Sequence, residues 1–144
     1  MNGKLLTFYI AGQLYGIDIT LVKEINRKIQ ITVVPDAPDS IIGLMNMRGQ
    51  IVTVLDLGKQ MLGSLEQSHS RPPSTCVILK NNPGELDYIG FVIDRLGNVV
   101  ESADARYEPT PANLTDKLSR FVREVVKQEH EIILVLEPFA IFNP

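Results

Sequence analysis

The sequence predicts a mainly β fold built from many short strands, with two or three short helices. Apolar and polar residues alternate in runs of four to eight, which indicates half-buried strands. Glycine, proline and asparagine separate these runs at short intervals, as is typical of small barrels. A weak internal repetition is also present: TVLDLG (53–58) resembles FVIDRLG (91–97), and LVLEPF (134–139) is a looser match. Each of these segments is an apolar strand that ends in an acid, which favours a duplicated layout.

The first 34 residues predict two strands, one helix and a third strand. Residues 5–10 alternate in period two, and residues 14–17 return after the AGQ turn. The period changes in DITLVKEINRK (18–28), because Val22, Ile25 and the following Ile29 fall on one helical face. Residues 31–34 again resemble a strand, which the PDAPD loop (35–39) ends because proline cannot continue a β-ladder.

The next element is an apolar hairpin with a charged tip. We predict strands over residues 41–47 and 50–57, because Gly49 can take the positive φ angle that a tight turn requires. GKQMLG (58–63) predicts a short helical turn, and residues 64–74 a polar loop. The role of Arg48 at the tip has two possible interpretations. It could keep the hairpin soluble, or its planar guanidinium could bind a carboxylate of a partner.

The second half of the chain repeats this arrangement of strands and turns. We predict an irregular segment over residues 104–113 and a short helix within NLTDKLSRF (113–121). The predicted strands are 75–80, 86–93, 99–101, 121–127 and 132–136.

Composition and charge argue against several classes of function. The 144 residues are 44% hydrophobic and 22% charged, as in soluble globular proteins. The 14 Lys and Arg are scattered and the net charge is −3, whereas a nucleic-acid binder needs a basic surface. No apolar run approaches the ~20 residues needed to span a bilayer, and the N-terminus has no signal-peptide core. The single cysteine, Cys76, cannot form an intramolecular disulfide. We therefore expect a cytoplasmic protein.

The residues that could carry chemistry predict neither an enzyme nor a metal protein. His69 and His130 have no metal-ligand spacing, and no phosphate-binding loop or nucleophile motif is present. Asp56 and Asp94 end strands and could do acid–base work, although acids at such positions more often accept turn hydrogen bonds. We expect no catalytic residue, no metal and no cofactor. A small β-barrel enzyme or ligand carrier is the less favoured alternative.

Three segments resemble the CheW-like domain of bacterial chemotaxis adaptors. They are LYGIDITLVKEI (14–25), VVPDAPDSIIGLMNMRGQIVTVLDL (33–57) and YIGFVIDRLGNVVE (88–101). The second of these is the most distinctive, and order and spacing match from Leu5 to Phe142. The resemblance implies a single domain over residues 1–144, made of two packed SH3-like five-stranded β-barrels. Because no receiver-domain sequence follows, a fusion of adaptor and receiver is not expected.

The resemblance also implies a function. Members of the family are adaptors that couple methyl-accepting chemotaxis receptors to a CheA-type histidine kinase, at receptor arrays on the inner face of the membrane. Asn26, Thr53, Gly58 and Arg123 depart from the family pattern and leave the receptor class and kinase open. A scaffold of a non-flagellar pathway, such as twitching or gliding, is therefore an alternative. Carried over to this chain, the receptor-binding residues are Val22, Glu24, Gly43 and Arg48, and the kinase-binding residues are Phe91, Ile93, Leu96 and Val99.

Overall fold

The computed structural model describes residues 3–63, 75–80, 87–101, 106–108 and 114–142. Within these residues the fold is mainly β, as predicted, with short helices between strands. The strands are β1 (Lys4–Ile10), β2 (Gln13–Asp18), β3 (Val22–Asn26), β4 (Ile41–Met47), β5 (Gln50–Leu55), β6 (Thr75–Leu79), β7 (Tyr88–Ile93), β8 (Arg95–Glu101), β9 (Arg106–Glu108), β10 (Val122–Gln128) and β11 (Glu131–Leu136). The helices are α1 (Leu57–Leu62), α2 (Asp116–Ser119) and α3 (Pro138–Phe142).

The strands form two sheets, and two separate stretches of the chain contribute strands to the first sheet. Sheet A has the order β8-β1-β2-β11-β10-β9, and sheet B has the order β3-β6-β7-β5-β4. Most neighbours are antiparallel, but β2 and β11 pair in parallel, as do β5 and β7. Sheet A exceeds the predicted five strands because the three-residue β9 adds to its edge.

Sheet B closes on itself through one pair of residues. Its two edge strands are β3 and β4, and the chain that leaves β3 runs to the far side of β4. There Thr32 and Leu44 each donate a backbone hydrogen bond to the other, both at 2.8 Å. A Cβ at Gly43 would lie 2.3 Å from the Thr32 carbonyl oxygen, so only glycine permits this approach. The strand predicted over residues 31–34 is thus reduced to a single bridge, and that bridge completes a small barrel.

The buried apolar side chains of the described residues form three clusters. One lies within sheet B and includes Val52 and Val92, and a second lies within sheet A and includes Leu5 and Val100. The largest cluster joins the two sheets, with residues such as Phe8 from one and Phe91 from the other. Successive side chains of a strand point to opposite faces, so both sheets are apolar on both sides.

The prediction of a helix over residues 18–28 is wrong. The Asp18 carboxylate accepts a hydrogen bond from Thr20 N (3.0 Å) and begins a single 3₁₀ turn, Ile19–Leu21, after which the chain forms β3. The register between β3 and β6 shifts after Val22, which marks a β-bulge. Such a bulge places residues three positions apart on one face. Val22 and Ile25 therefore both pack against the cluster between the sheets, and their spacing imitates a helix.

The segment predicted to be irregular, residues 104–113, contains a strand, because residues 106–108 pair with β10 as β9; the rest of that segment lies outside the described residues. The other predictions agree with the structure except at boundaries. The first hairpin strand spans residues 41–47 as predicted, whereas β5 ends early because the Asp56 carboxylate caps α1 through Lys59 N (3.0 Å). Strand β8 begins at Arg95, four residues before its predicted start, since the preceding turn is confined to Asp94. The short helical turn at α1, the helix α2 and the β10–β11 hairpin are confirmed. The loop predicted over residues 64–74 lies outside the described residues.

Candidate protein-binding surfaces

The turn between β4 and β5 holds its arginine in an unfavourable backbone conformation. Arg48 and Gly49 have φ angles of 51° and 85°, and Gly49 N donates a hydrogen bond to Asn46 Oδ1 (3.0 Å). Two-residue hairpin turns with two positive φ angles favour asparagine or glycine at both positions. A longer side chain is disfavoured in this region. The backbone therefore gives no reason for arginine here, which favours a role for its side chain.

The side chain of Arg48 pairs with Glu24 on β3. Arg48 Nη2 donates a hydrogen bond to Glu24 Oε1, and the two groups form an ion pair. The hydrogen bond raises the pKa of Arg48, and the carboxylate charge raises it further. The arginine side chain is still 71% exposed, so the pair contributes little to stability. Its effect is to orient an exposed guanidinium that has N–H groups left over for another carboxylate.

Of the four residues expected to bind a receptor, two meet at the hairpin tip, namely Glu24 and Arg48. The other two, Val22 and Gly43, do not take part in this pair. Val22 lies two positions away on the same strand and is half-buried against the cluster between the sheets. Gly43 is buried, and its role is to let Thr32 close the barrel.

Ile51, which was not predicted from the sequence, lies beside the tip as the cross-strand partner of Asn46. It is 42% exposed. Its position could have been found from the alternation in β5, where Val52 and Val54 point inward. An exposed aliphatic side chain next to an exposed guanidinium suits an amphipathic partner. We call Glu24, Arg48 and Ile51 the hairpin-tip surface.

The patch expected to bind the kinase is smaller than predicted. Phe91 and Ile93 are buried in the cluster between the sheets, and the Phe91 ring packs 5.2 Å from the ring of Phe8. Neither can contact a partner while the protein is folded. Leu96 is half-buried, and Val99 is 49% exposed on β8. Only these last two can belong to a docking patch.

A polar rim adjoins this patch, and the sequence did not indicate it. The Arg95 guanidinium lies 3.7 Å from the centre of the Tyr9 ring, and Tyr9 donates a hydrogen bond to Glu131 Oε2 (2.6 Å). That hydrogen bond raises the pKa of Tyr9. An open cleft of about 650 Å³ lies beside β8 between this rim and the β10–β11 turn. We call Arg95, Leu96 and Val99 the β8 surface.

The residues considered for chemistry have structural roles. The Asp56 carboxylate caps α1, and the Asp94 carboxylate accepts a hydrogen bond from Ala11 N (2.8 Å). Cys76 is buried, which raises the pKa of its thiol to about 12. In the parts of the chain that are described, no three His, Cys, Asp or Glu residues are grouped as metal ligands. Among the same residues, no helix has the length and apolar character needed to cross a membrane.

The two sheets and the apolar cluster that they share place this chain in the class of two-barrel folds, and the comparisons with known proteins agree. A family model described as the CheW-like domain matches residues 4–144. The chemotaxis protein CheW of Treponema pallidum is 28% identical, over 97% of this chain and 82% of its own length. The chemotaxis protein CheW of Bacillus subtilis is 24% identical, over 97% of this chain and 86% of its own length.

Among solved structures, the scaffolding protein TtCheW from Thermoanaerobacter tengcongensis superposes with a TM-score of 0.75 at 27% identity. The match covers 95% of this chain and 90% of that chain. The chain belongs to the CheW-like domain family of chemotaxis adaptor proteins.

Proposed function

We propose that this protein, a single CheW-like domain over residues 1–144, is a non-enzymatic adaptor that couples methyl-accepting chemoreceptors to a CheA-type histidine kinase. It acts in the cytoplasm at receptor arrays on the inner face of the membrane. The observation that carries the proposal is the exposed Arg48–Glu24 pair at the hairpin tip. A turn that favours asparagine or glycine holds an arginine instead, and an acid on another strand orients it.

The receptor contact follows from the chemistry of the hairpin-tip surface. The family resemblance implies a helical receptor tip rich in glutamates. A receptor carboxylate can share the guanidinium of Arg48 with Glu24, since the arginine is largely exposed and need not lose much hydration on binding. Ile51 then covers the apolar side of the same helix. Complementary charge at such a contact gives specificity and a faster association rate more than raw affinity.

The kinase contact is assigned to the β8 surface, which lies on the other sheet. Leu96 and Val99 supply apolar area, and Arg95 supplies a charge at the rim. Each sheet thus presents one binding surface, and the shared apolar cluster holds the two sheets together. A protein that binds two partners in this way raises their effective concentration without new chemistry.

The test is a pull-down of the host's receptors and kinase with Arg48→Glu protein. We expect receptor capture to be lost, because the reversed charge repels both Glu24 and the receptor acid, while kinase capture persists. Arg123→Glu is the matched control, since Arg123 is an exposed arginine on β10 of the other sheet. Receptor capture that survives Arg48→Glu would show that the hairpin does not present Arg48 to the receptor.

The non-enzymatic part of the proposal is tested separately. We expect the pure protein not to turn over ATP or common esters. A turnover that survives repurification and disappears with a single substitution would contradict this part.

A further inference from the structure

A group of three cations, two of them exposed and one half-buried, lies at the far end of the β4–β5 hairpin from Arg48. A depression of about 360 Å³ lies where α1 and α2 meet, and Asp39 and Ser40, just before β4, form one side of it. Strand β4 has seven residues. At ~3.3 Å per residue it separates this depression from the hairpin tip by roughly 20 Å. We call it the α1–α2 depression.

Three cationic side chains line the α1–α2 depression. Lys59 comes from α1, Lys117 from α2, and Arg120 directly follows α2. Among the described residues, Asp39 is the one carboxylate that lines it, and none of the three cations forms a salt bridge with another of them. The Arg120 guanidinium lies 5.8 Å from the centre of the Phe121 ring, which adds an apolar side. The depression is therefore a local excess of positive charge in a chain of net charge −3.

Gln60 lines the same depression, and its side-chain amide has no hydrogen-bond partner in the part of the chain that the structure describes. Both its Oε1 and its Nε2 are buried, and neither has a partner among the described residues. Buried amides are rarely left unsatisfied, and each such case calls for an explanation. The amide needs a donor and an acceptor side by side. A peptide group offers both, whereas a simple anion offers acceptors alone.

We propose that the α1–α2 depression binds an acidic peptide segment of a partner protein. The carboxylates face Lys59, Lys117 and Arg120, and a backbone peptide group faces Gln60. Charge complementarity selects the acidic character of the ligand, and the unsatisfied amide selects a peptide over a free anion. The inference is independent of the proposed function, because it uses no residue of the hairpin-tip surface or the β8 surface.

The test is fluorescence anisotropy at low salt with a labelled peptide of four glutamates flanked by glycines, both ends blocked. We expect Lys117→Gln and Arg120→Gln each to weaken binding by at least about fivefold, because each removes a charge-assisted hydrogen bond. Arg123→Gln and Lys127→Gln make the same charge change at exposed positions of β10 and should leave binding unchanged. Gln60→Met keeps the shape but removes the amide, so it should raise the melting temperature and weaken binding.

Several results would overturn the proposal. They are the absence of binding at millimolar peptide, equal weakening by the β10 control variants, and equally tight binding of the matching glutamine peptide. Inorganic phosphate that competes as well as the peptide would show an anion site without peptide recognition. A Gln60→Met protein that binds as tightly as the parent would overturn the peptide contact. Circular dichroism melts of every variant separate a loss of binding from a loss of folding.

Discussion

Replacing Gly43 with alanine tests whether this residue acts through barrel closure or through direct contact with a receptor. The new Cβ would lie 2.3 Å from the Thr32 carbonyl oxygen and 2.7 Å from Ile31 Cγ2. The side chain of Ile31 can rotate away, but the Thr32 oxygen belongs to the backbone and accepts the hydrogen bond from Leu44 N. The substitution therefore pushes the 31–32 segment off the barrel.

The magnitude follows from two contributions. Overpacking a tight site costs about 1–3 kcal/mol, and the loss of the two Thr32–Leu44 hydrogen bonds costs about 1 kcal/mol each. The free energy of unfolding should thus fall by about 3–5 kcal/mol. At roughly 3–4 °C per kcal/mol for a chain of this size, the melting temperature should fall by about 10–20 °C.

The assay combines a thermal melt with amide hydrogen exchange. We expect the amides of Thr32 and Leu44 to lose protection and receptor binding to weaken as the hairpin shifts. Gly3→Ala is the control, because a Cβ there meets nothing within 4 Å. An unchanged melt with both amides still protected, but with receptor binding lost, would refute the closure argument and make Gly43 a direct contact.

Two further predictions concern the β8 surface and the buried thiol. Val99→Asp should weaken kinase capture with little change in the melting temperature, since Val99 is 49% exposed. Phe91→Asp is the comparison, and it should unfold the protein by burying an unpaired charge. A Val99→Asp protein that melts like the Phe91→Asp protein would place Val99 in the core. Cys76 should react with a thiol reagent at pH 8 only as fast as the protein unfolds, because burial raises its pKa from 9.0 to about 12. The unfolded thiol loses its proton first, so stability should fall as pH rises above about 9; rapid labelling of the native protein, or a melting temperature that rises from pH 8 to pH 10, would contradict this burial.

The sequence predicts those parts of the fold that local chemistry decides. The β4–β5 hairpin is placed correctly because a glycine able to take positive φ lies between two apolar runs. Strand β3 is missed because its bulge puts Val22 and Ile25 on one face at a helical spacing. The two-barrel architecture comes from the family resemblance, since short repeated strands do not reveal how sheets close.

The candidate surfaces are harder to predict than the strands. Phe91 lies in a continuous apolar run, which indicates burial but not which apolar cluster each side chain enters. The contact between Glu24 and Arg48 depends on barrel closure, which brings the two edges of sheet B together. No pattern in the surrounding sequence encodes a contact that arises from closure.

The order in which the ribosome makes the strands bears on how sheet A is completed. Strands β1 and β2 are made before any strand of sheet B, yet β2 pairs in parallel with β11, where Tyr15 lies opposite Leu134. The Tyr9–Glu131 hydrogen bond likewise joins residues 122 positions apart. At a synthesis rate of ~5–20 residues per second, roughly ten seconds pass between the synthesis of the first hairpin and that of β11. During this time the edge of β2 is open, and other chains can pair with it. Sheet B is contiguous in the chain and is finished earlier, so its Phe91 face is the first large apolar surface on which the waiting hairpin can pack.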